Sequence, residues 1–362
     1  MKRMMLAVLA LLACVAPAAA QNVRADVDVD TSASNSGARP DISIAPSPRV
    51  LATLSAAQQP APAPQPSVNL NGPRRRGSMV GYIEDTLVSS KIRIRFDSAL
   101  HDHAPDRAEF FYAKCGCYRD LPTNNAAFDP DAPGPGPGVV DDLNFQQVYV
   151  EGEYATGTRV SVFAELPLRW LQPQTPGVFE HQHGLSDLRG GVRLALADTA
   201  EQMVTLQLKA FLPTGDALRG LGTDHASVEP TLLYYRSLSD RASIESQFGL
   251  WLPIGGSNGV PTSSDDKFSG KVLSYGIGPS VDVYSKGDVR IAPVVEVVGW
   301  RVLSGFQTSD PADASGINIV NLKFGARGSW GRGSSVYAGY GHALTKADWY
   351  NDIFRFEYRF AF

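Results

Sequence analysis

Cysteine is scarce in this chain: there are three among 362 residues, and two of them stand together as Cys115-Gly116-Cys117. That excludes a disulfide-dense scaffold and a closed four-thiolate metal centre. An excess of one charge is lacking too. Lys and Arg number 33 against 37 Asp and Glu, a formal net charge of −4, so nothing in the balance points to nucleic acid. Apolar runs are short after Val15, and mean hydropathy is −0.13. Transmembrane helices are therefore not expected. Membrane crossing by strands stays open, because such strands are only half apolar.

What is present begins with targeting. Lys2 and Arg3, the apolar run Met4 to Val15 and Ala18-Ala19-Ala20 together predict a secretory signal peptide over residues 1–20. Leu11-Leu12-Ala13-Cys14 offers a second processing site, with Cys14 acylated as in a lipoprotein. Residues 21–77 are rich in Pro, Ala, Ser and Gln, as in Gln59-Pro60-Ala61-Pro62-Ala63-Pro64-Gln65-Pro66. Such a segment buries too little apolar surface to offset chain entropy, so a disordered periplasmic tether is expected. Arg74-Arg75-Arg76 could meet anionic groups there. Within the lead-in at 78–89, Val80, Ile83 and Leu87 share one face of a helix, which predicts a short helix or an irregular approach to the first strand.

From residue 90 onward, runs of about ten alternating residues are separated by connections that alternate between short and long. The last run is the clearest. Phe354, Phe356, Tyr358, Phe360 and Phe362 fall on one face, while Arg355, Glu357 and Arg359 fall on the other. Nothing follows in this sequence to cover that aromatic face, whereas lipid would cover it. The same parity places Arg93, Arg95, Glu151, Glu153, Arg159, Glu165 and Arg169 on an inner face. It also places Asp187, Arg189, Arg193, Lys209, Glu229, Glu245, Glu296 and Arg327 there. Three cations on alternate positions (Lys91, Arg93, Arg95) would be costly in a soluble core but simply point into a polar lumen. The expected fold is all-β: a transmembrane antiparallel up-and-down β-barrel of about twelve strands over residues 90–362. The inner charges are expected to pair across strands and to tune selectivity if the lumen conducts.

Three small constellations could carry chemistry. His225-Ala226-Ser227 is similar to the His-x-Ser pair of the outer-membrane phospholipase, with the two side chains on one strand face. Here the pair points to the lumen and is followed by Val228-Glu229, so lipid hydrolysis is only a remote alternative and no catalytic residues are assigned. Cys115 and Cys117 are candidates for a local disulfide in an oxidising compartment. Two sulfurs, with His101 and His103 as speculative partners, are too few for a metal site, and His181-Gln182-His183 reads as a solvated loop. No metal and no cofactor are expected.

Gly184-Leu185-Ser186-Asp187-Leu188-Arg189-Gly190-Gly191 and Phe211-Leu212-Pro213-Thr214-Gly215-Asp216 carry a resemblance, as does Gly220 to Tyr235. Together with Arg93 to Cys117, they resemble a family of bacterial outer-membrane barrels. Some of its members are transporters related to the meta-cleavage pathway of phenol degradation. The resemblance implies the Gram-negative outer membrane, with the N-terminal segment and C-terminus in the periplasm. It also implies a loosely defined transport role. The terminal aromatic strand resembles the signal read by the barrel-assembly machinery. Expected partners are that machinery, outer-membrane lipid, and peptidoglycan or a periplasmic protein at the N-terminal segment. The expected function is a passive channel or uptake port for small molecules. The alternative is a structural barrel with a plugged lumen.

Overall fold

The computed structural model describes residues 77–106, 112–263, 265–307, 314–331 and 333–362. The expected signal peptide, Cys14, Arg74-Arg75-Arg76 and all but the last residue of the 21–77 segment lie outside the described residues.

Fourteen strand segments follow in chain order: β1 (Lys91–Asp102), β2 (Leu143–Ala155), β3 (Val160–Pro173), β4 (Gln182–Leu185), β5 (Leu188–Asp198), β6 (Gln202–Leu212) and β7 (Ala226–Ser237). They continue as β8 (Ala242–Ile254), β9 (Val272–Val281), β10 (Tyr284–Lys286), β11 (Val289–Val302), β12 (Asn318–Trp330), β13 (Ser334–Ala343) and β14 (Asp352–Ala361). All pairings are antiparallel. β4 and β5 lie end to end along β3, and β9 and β10 lie end to end along β11. Each of these couples is one wall strand with an interruption. β14 pairs with β1 from Lys91↔Ala361 to Leu100↔Asp352 and closes the sheet. The result is a closed antiparallel barrel of twelve wall strands.

Period-two alternation explains the wall. Ile94 is 45% exposed and Phe248 57%, on the outside, whereas Arg193 and Arg327 are completely buried inside. In a barrel whose inside is polar and whose outside is apolar, a one-residue slip would invert every side chain, so the pattern pins the register. Tyr154, Tyr284, Trp330 and Phe360 lie exposed near the short turns, where an aromatic girdle meets the membrane interface. The principal wall strands run 10–14 residues, enough to cross a bilayer core when tilted.

Connections at one end are tight, at 156–159, 199–201, 238–241, 287–288 and 331–333. Those at the other end are long, at 103–142, 174–181, 213–225, 255–271, 303–317 and 344–351. The first long loop begins after Asp102, later than alternation suggests. Arg159 is a correction. Parity places it in the lumen, yet β3 begins at Val160 and Arg159 stands exposed in the preceding bend. The bend closes through Thr156 N donating to the Val160 carbonyl (3.0 Å), and strand parity does not extend into it. Residues 77–90 form no helix. They run into the barrel from its short-turn end.

Candidate functional site

The site is the lumen, and residues 77–90 occupy it. Their backbone is held by the wall. Glu245 accepts from Met79 N (3.1 Å), and Glu296 accepts from Gly81 N (3.2 Å), Tyr82 N (2.9 Å) and Ile83 N (2.7 Å). Arg327 donates to the carbonyls of Met79 (3.2 Å) and Val80 (2.8 Å), Arg355 to Gly81 (2.8 Å), and Arg359 to Val80 (3.0 Å). Backbone groups that a helix would pair internally are thus satisfied from outside, which is why the segment stays irregular. Val80 and Ile83 share a face for a different reason. They pack on β9, where a Cβ at Gly276 would lie 3.0 Å from Ile83 Cγ1 and one at Gly278 3.0 Å from Val80 Cγ1.

The segment also carries two carboxylates into the lumen. Glu84 lies 2.8 Å from Lys209, 3.2 Å from Arg93 and 3.7 Å from Arg193. Asp85 lies 2.7 Å from Lys91 and 3.4 Å from Arg359. Around them the wall forms its own ladder. Arg93 meets Glu151 in a short contact. Arg193 lies 2.8 Å from Glu153, Arg95 3.3 Å and Arg189 3.1 Å from Glu165, and Lys209 3.8 Å from Glu229. Arg327 and Arg359 share Glu357, each at 2.6 Å, and Arg355 grips Asp97 through both oxygens at 2.7 Å. Buried charges are tolerated only when paired in this way. Asp187 serves the loops, accepting from Gly215 N and Thr223 N at 2.9 Å each. Arg169 is buried on the same inner wall.

Several functional positions escaped the sequence reading of the site. Asp97 had the right parity but was not singled out. Glu84, Asp85, Gly276 and Gly278 carried no signal, because nothing local tells a lead-in residue that it will turn into the lumen.

Above the segment lies a cavity of about 200 Å³. Tyr82 and Glu84 contribute to its lining from below, Trp251 and Trp300 from the walls, and Trp349 and Tyr350 from the last long connection. Lys323 enters it with its ammonium 2.8 Å from Tyr350 Oη and 4.1 Å from the centre of the Tyr82 ring, an aromatic setting that suits a cation. The long loops close over the far end. Tyr112, Val140, Val178 and Leu221 cluster with Leu143, Phe145 and Leu171. Lys114, fully buried, donates to Asp129 (2.9 Å) and to the Asn258 carbonyl (3.1 Å), tying the first long loop to the one after β8.

Cys115 and Cys117 are joined by a disulfide in that first loop. His225 is buried, with Nδ1 2.9 Å from the Thr223 carbonyl, and Ser227 is buried on the lumen side. His181 and His183 are exposed. Among the described residues no three His, Cys, Asp or Glu side chains are grouped to hold a metal. Phe354, Phe356, Phe360 and Phe362 are exposed on the outer face, with Tyr358 half-buried beside them.

A closed barrel with an apolar outer wall and a charged, hydrogen-bonded interior is a transmembrane β-barrel. No protein-family model matches the chain, and no curated protein matches it. Solved structures of similar shape include an outer membrane channel from Pseudomonas putida F1. It is 13% identical, with 78% of this chain and 99% of that chain covered and a TM-score of 0.48. The β domain of the Bordetella autotransporter BrkA is 13% identical over 76% of this chain and 100% of that one, with a TM-score of 0.46. The KdgM porin is 9% identical over 75% and 99%, with a TM-score of 0.37.

Proposed function

We propose that the chain is a Gram-negative outer-membrane port for small molecules, held closed here by residues 77–90. The observation that carries this is topological. The plugging segment contributes no strand to the sheet, and every wall strand keeps its two neighbours without it. Leaving the lumen would therefore break bonds between the segment and wall side chains, while the ladders between wall strands stay intact and the barrel stays closed as a wall. The apolar belt sets the membrane, and the expected signal peptide sets the route to the outer one. Short turns and the segment's entry then face the periplasm, where residues 21–77 would tether the plug or meet peptidoglycan. The outward aromatics Phe354 to Phe362 serve assembly by the barrel-insertion machinery.

A second reading, a structural barrel plugged permanently, is favoured by the many buried bonds between segment and wall. Planar-bilayer recording separates the two. Replacing residues 78–89 with a Gly-Ser linker should give steady conductance, with the natural chain opening only intermittently. A linker variant that never conducts would remove the port. A natural chain that never opens beside a conducting variant would establish the permanent plug.

A further inference from the structure

The contacts that hold the plug define a recognition chemistry. Among the described residues, nine wall cations (Lys91, Arg93, Arg95, Arg189, Arg193, Lys209, Arg327, Arg355 and Arg359) fall into three clusters that Glu84 and Asp85 link into one network. They are joined within 4.0 Å to six wall carboxylates. The wall alone leaves that network short of negative charge, and Glu84 and Asp85 make up most of the difference. The best contact of Lys209 is with Glu84 at 2.8 Å, against 3.8 Å for its wall partner Glu229. Across the lumen, Glu245 and Glu296 take backbone N–H donors, and Arg327, Arg355 and Arg359 take backbone carbonyls. A cation wall for adjacent side-chain carboxylates, facing carboxylates for amide donors, fits one class of molecule: a short peptide, able to bend as residues 81–83 do, with neighbouring acidic residues. A simple dicarboxylate would satisfy the cations but strip Glu245 and Glu296 of their backbone donors, leaving Glu296 only the Tyr337 hydroxyl, which is costly.

We propose that the lumen is a binding site for short acidic peptides, and that residues 79–86 fill it in the closed barrel as a tethered stand-in for that cargo. The proposal rests on the port reading. An arriving peptide replaces the segment's bonds one for one, so it competes directly with the plug.

The test uses the full chain carrying Glu84→Gln and Asp85→Asn, whose plug has lost its carboxylates, beside the natural chain. The heat-modifiable shift on gels checks folding of each. If the double variant does not fold, the Val80→Ala, Ile83→Ala chain, which removes the plug's packing on β9 and leaves the wall unchanged, takes its place. Titration calorimetry uses Ala-Glu-Asp-Ala, its amide counterpart Ala-Gln-Asn-Ala, and succinate. The expected result is at least tenfold tighter binding of Ala-Glu-Asp-Ala to the variant than to the natural chain, with the amide peptide and succinate at least tenfold weaker. Equal affinity for all three probes, or no binding by a folded variant, would overturn the proposal. Conductance of the same variant reports separately on the port. A conducting variant that binds no peptide refutes only the cargo, whereas a peptide-binding variant that never conducts refutes only the port.

Discussion

Glu296 shows how much of the closed state rests on single side chains. It is completely buried on β11 and accepts from Gly81 N, Tyr82 N and Ile83 N, and from Tyr337 Oη at 3.3 Å. Hydrogen bonds to a charged acceptor contribute about 1.5–3 kcal/mol each, against about 0.5–1.5 for neutral ones. Glu296→Gln keeps the volume, removes the charge and puts an amide donor where only acceptors fit. The plug should be held less tightly by about 1–3 kcal/mol, a rise in open fraction of roughly five- to 150-fold. Single-channel open probability measures it, and an unchanged value would show that Glu296 does not hold the plug. Parity alone assigned Glu296 to the lumen. It could not say that the partner would be backbone.

At the scale of elements, each strand is two surfaces with opposite demands. Leu208 sits mid-strand on β6 and is 47% exposed, while its neighbour Gln207 is fully buried on the lumen side. Leu208→Arg places a cation in hydrocarbon and should cost about 2–4 kcal/mol in a refolding titration. A cost near zero would mean that this face does not meet lipid. Alternation also suggests that an arginine is welcome at a lumen position such as Ser161. The packed interior says otherwise. Ser161 is fully buried, donates to Glu153 at 2.6 Å, and has no room beside Arg193. Overpacking there costs about 1–3 kcal/mol. The lumen is polar, but it is also a core.

Closure governs the whole molecule. β1 has β2 on one side and β14 on the other, and without β14 both β1 and β13 become open edges. An unpaired edge in lipid leaves a row of unsatisfied backbone groups. Deleting Phe354 to Phe362 should therefore abolish the heat-modifiable barrel in outer-membrane fractions. Wild-type levels of that form would show that the strand is dispensable. The plug and the loop cap act at this scale too. The first closes the short-turn half through ions and backbone bonds. The second closes the long-loop end through the cluster around Tyr112 and Leu221 and the buried Lys114.

The fold was legible in the residues because strand alternation is a local code. A period of two states which side of the wall each residue takes, and Phe354 to Phe362 declared that the outside is apolar. The same parity listed most of the lumen charges. Arg159 failed because a bend suspends parity. The lead-in stayed open between a helix and an irregular approach for a deeper reason. Val80, Ile83 and Leu87 have the spacing of a helix face, but a helix forms only when the backbone pairs with itself. Here Glu245, Glu296, Arg327 and Arg355 supply the partners instead. Those partners come from four strands that are neighbours of residues 77–90 only once the barrel has closed. Which side of the wall each strand residue takes was thus set by the sequence alone. That the inside is filled, and by which segment, was decided by contacts between distant strands that no local pattern encodes.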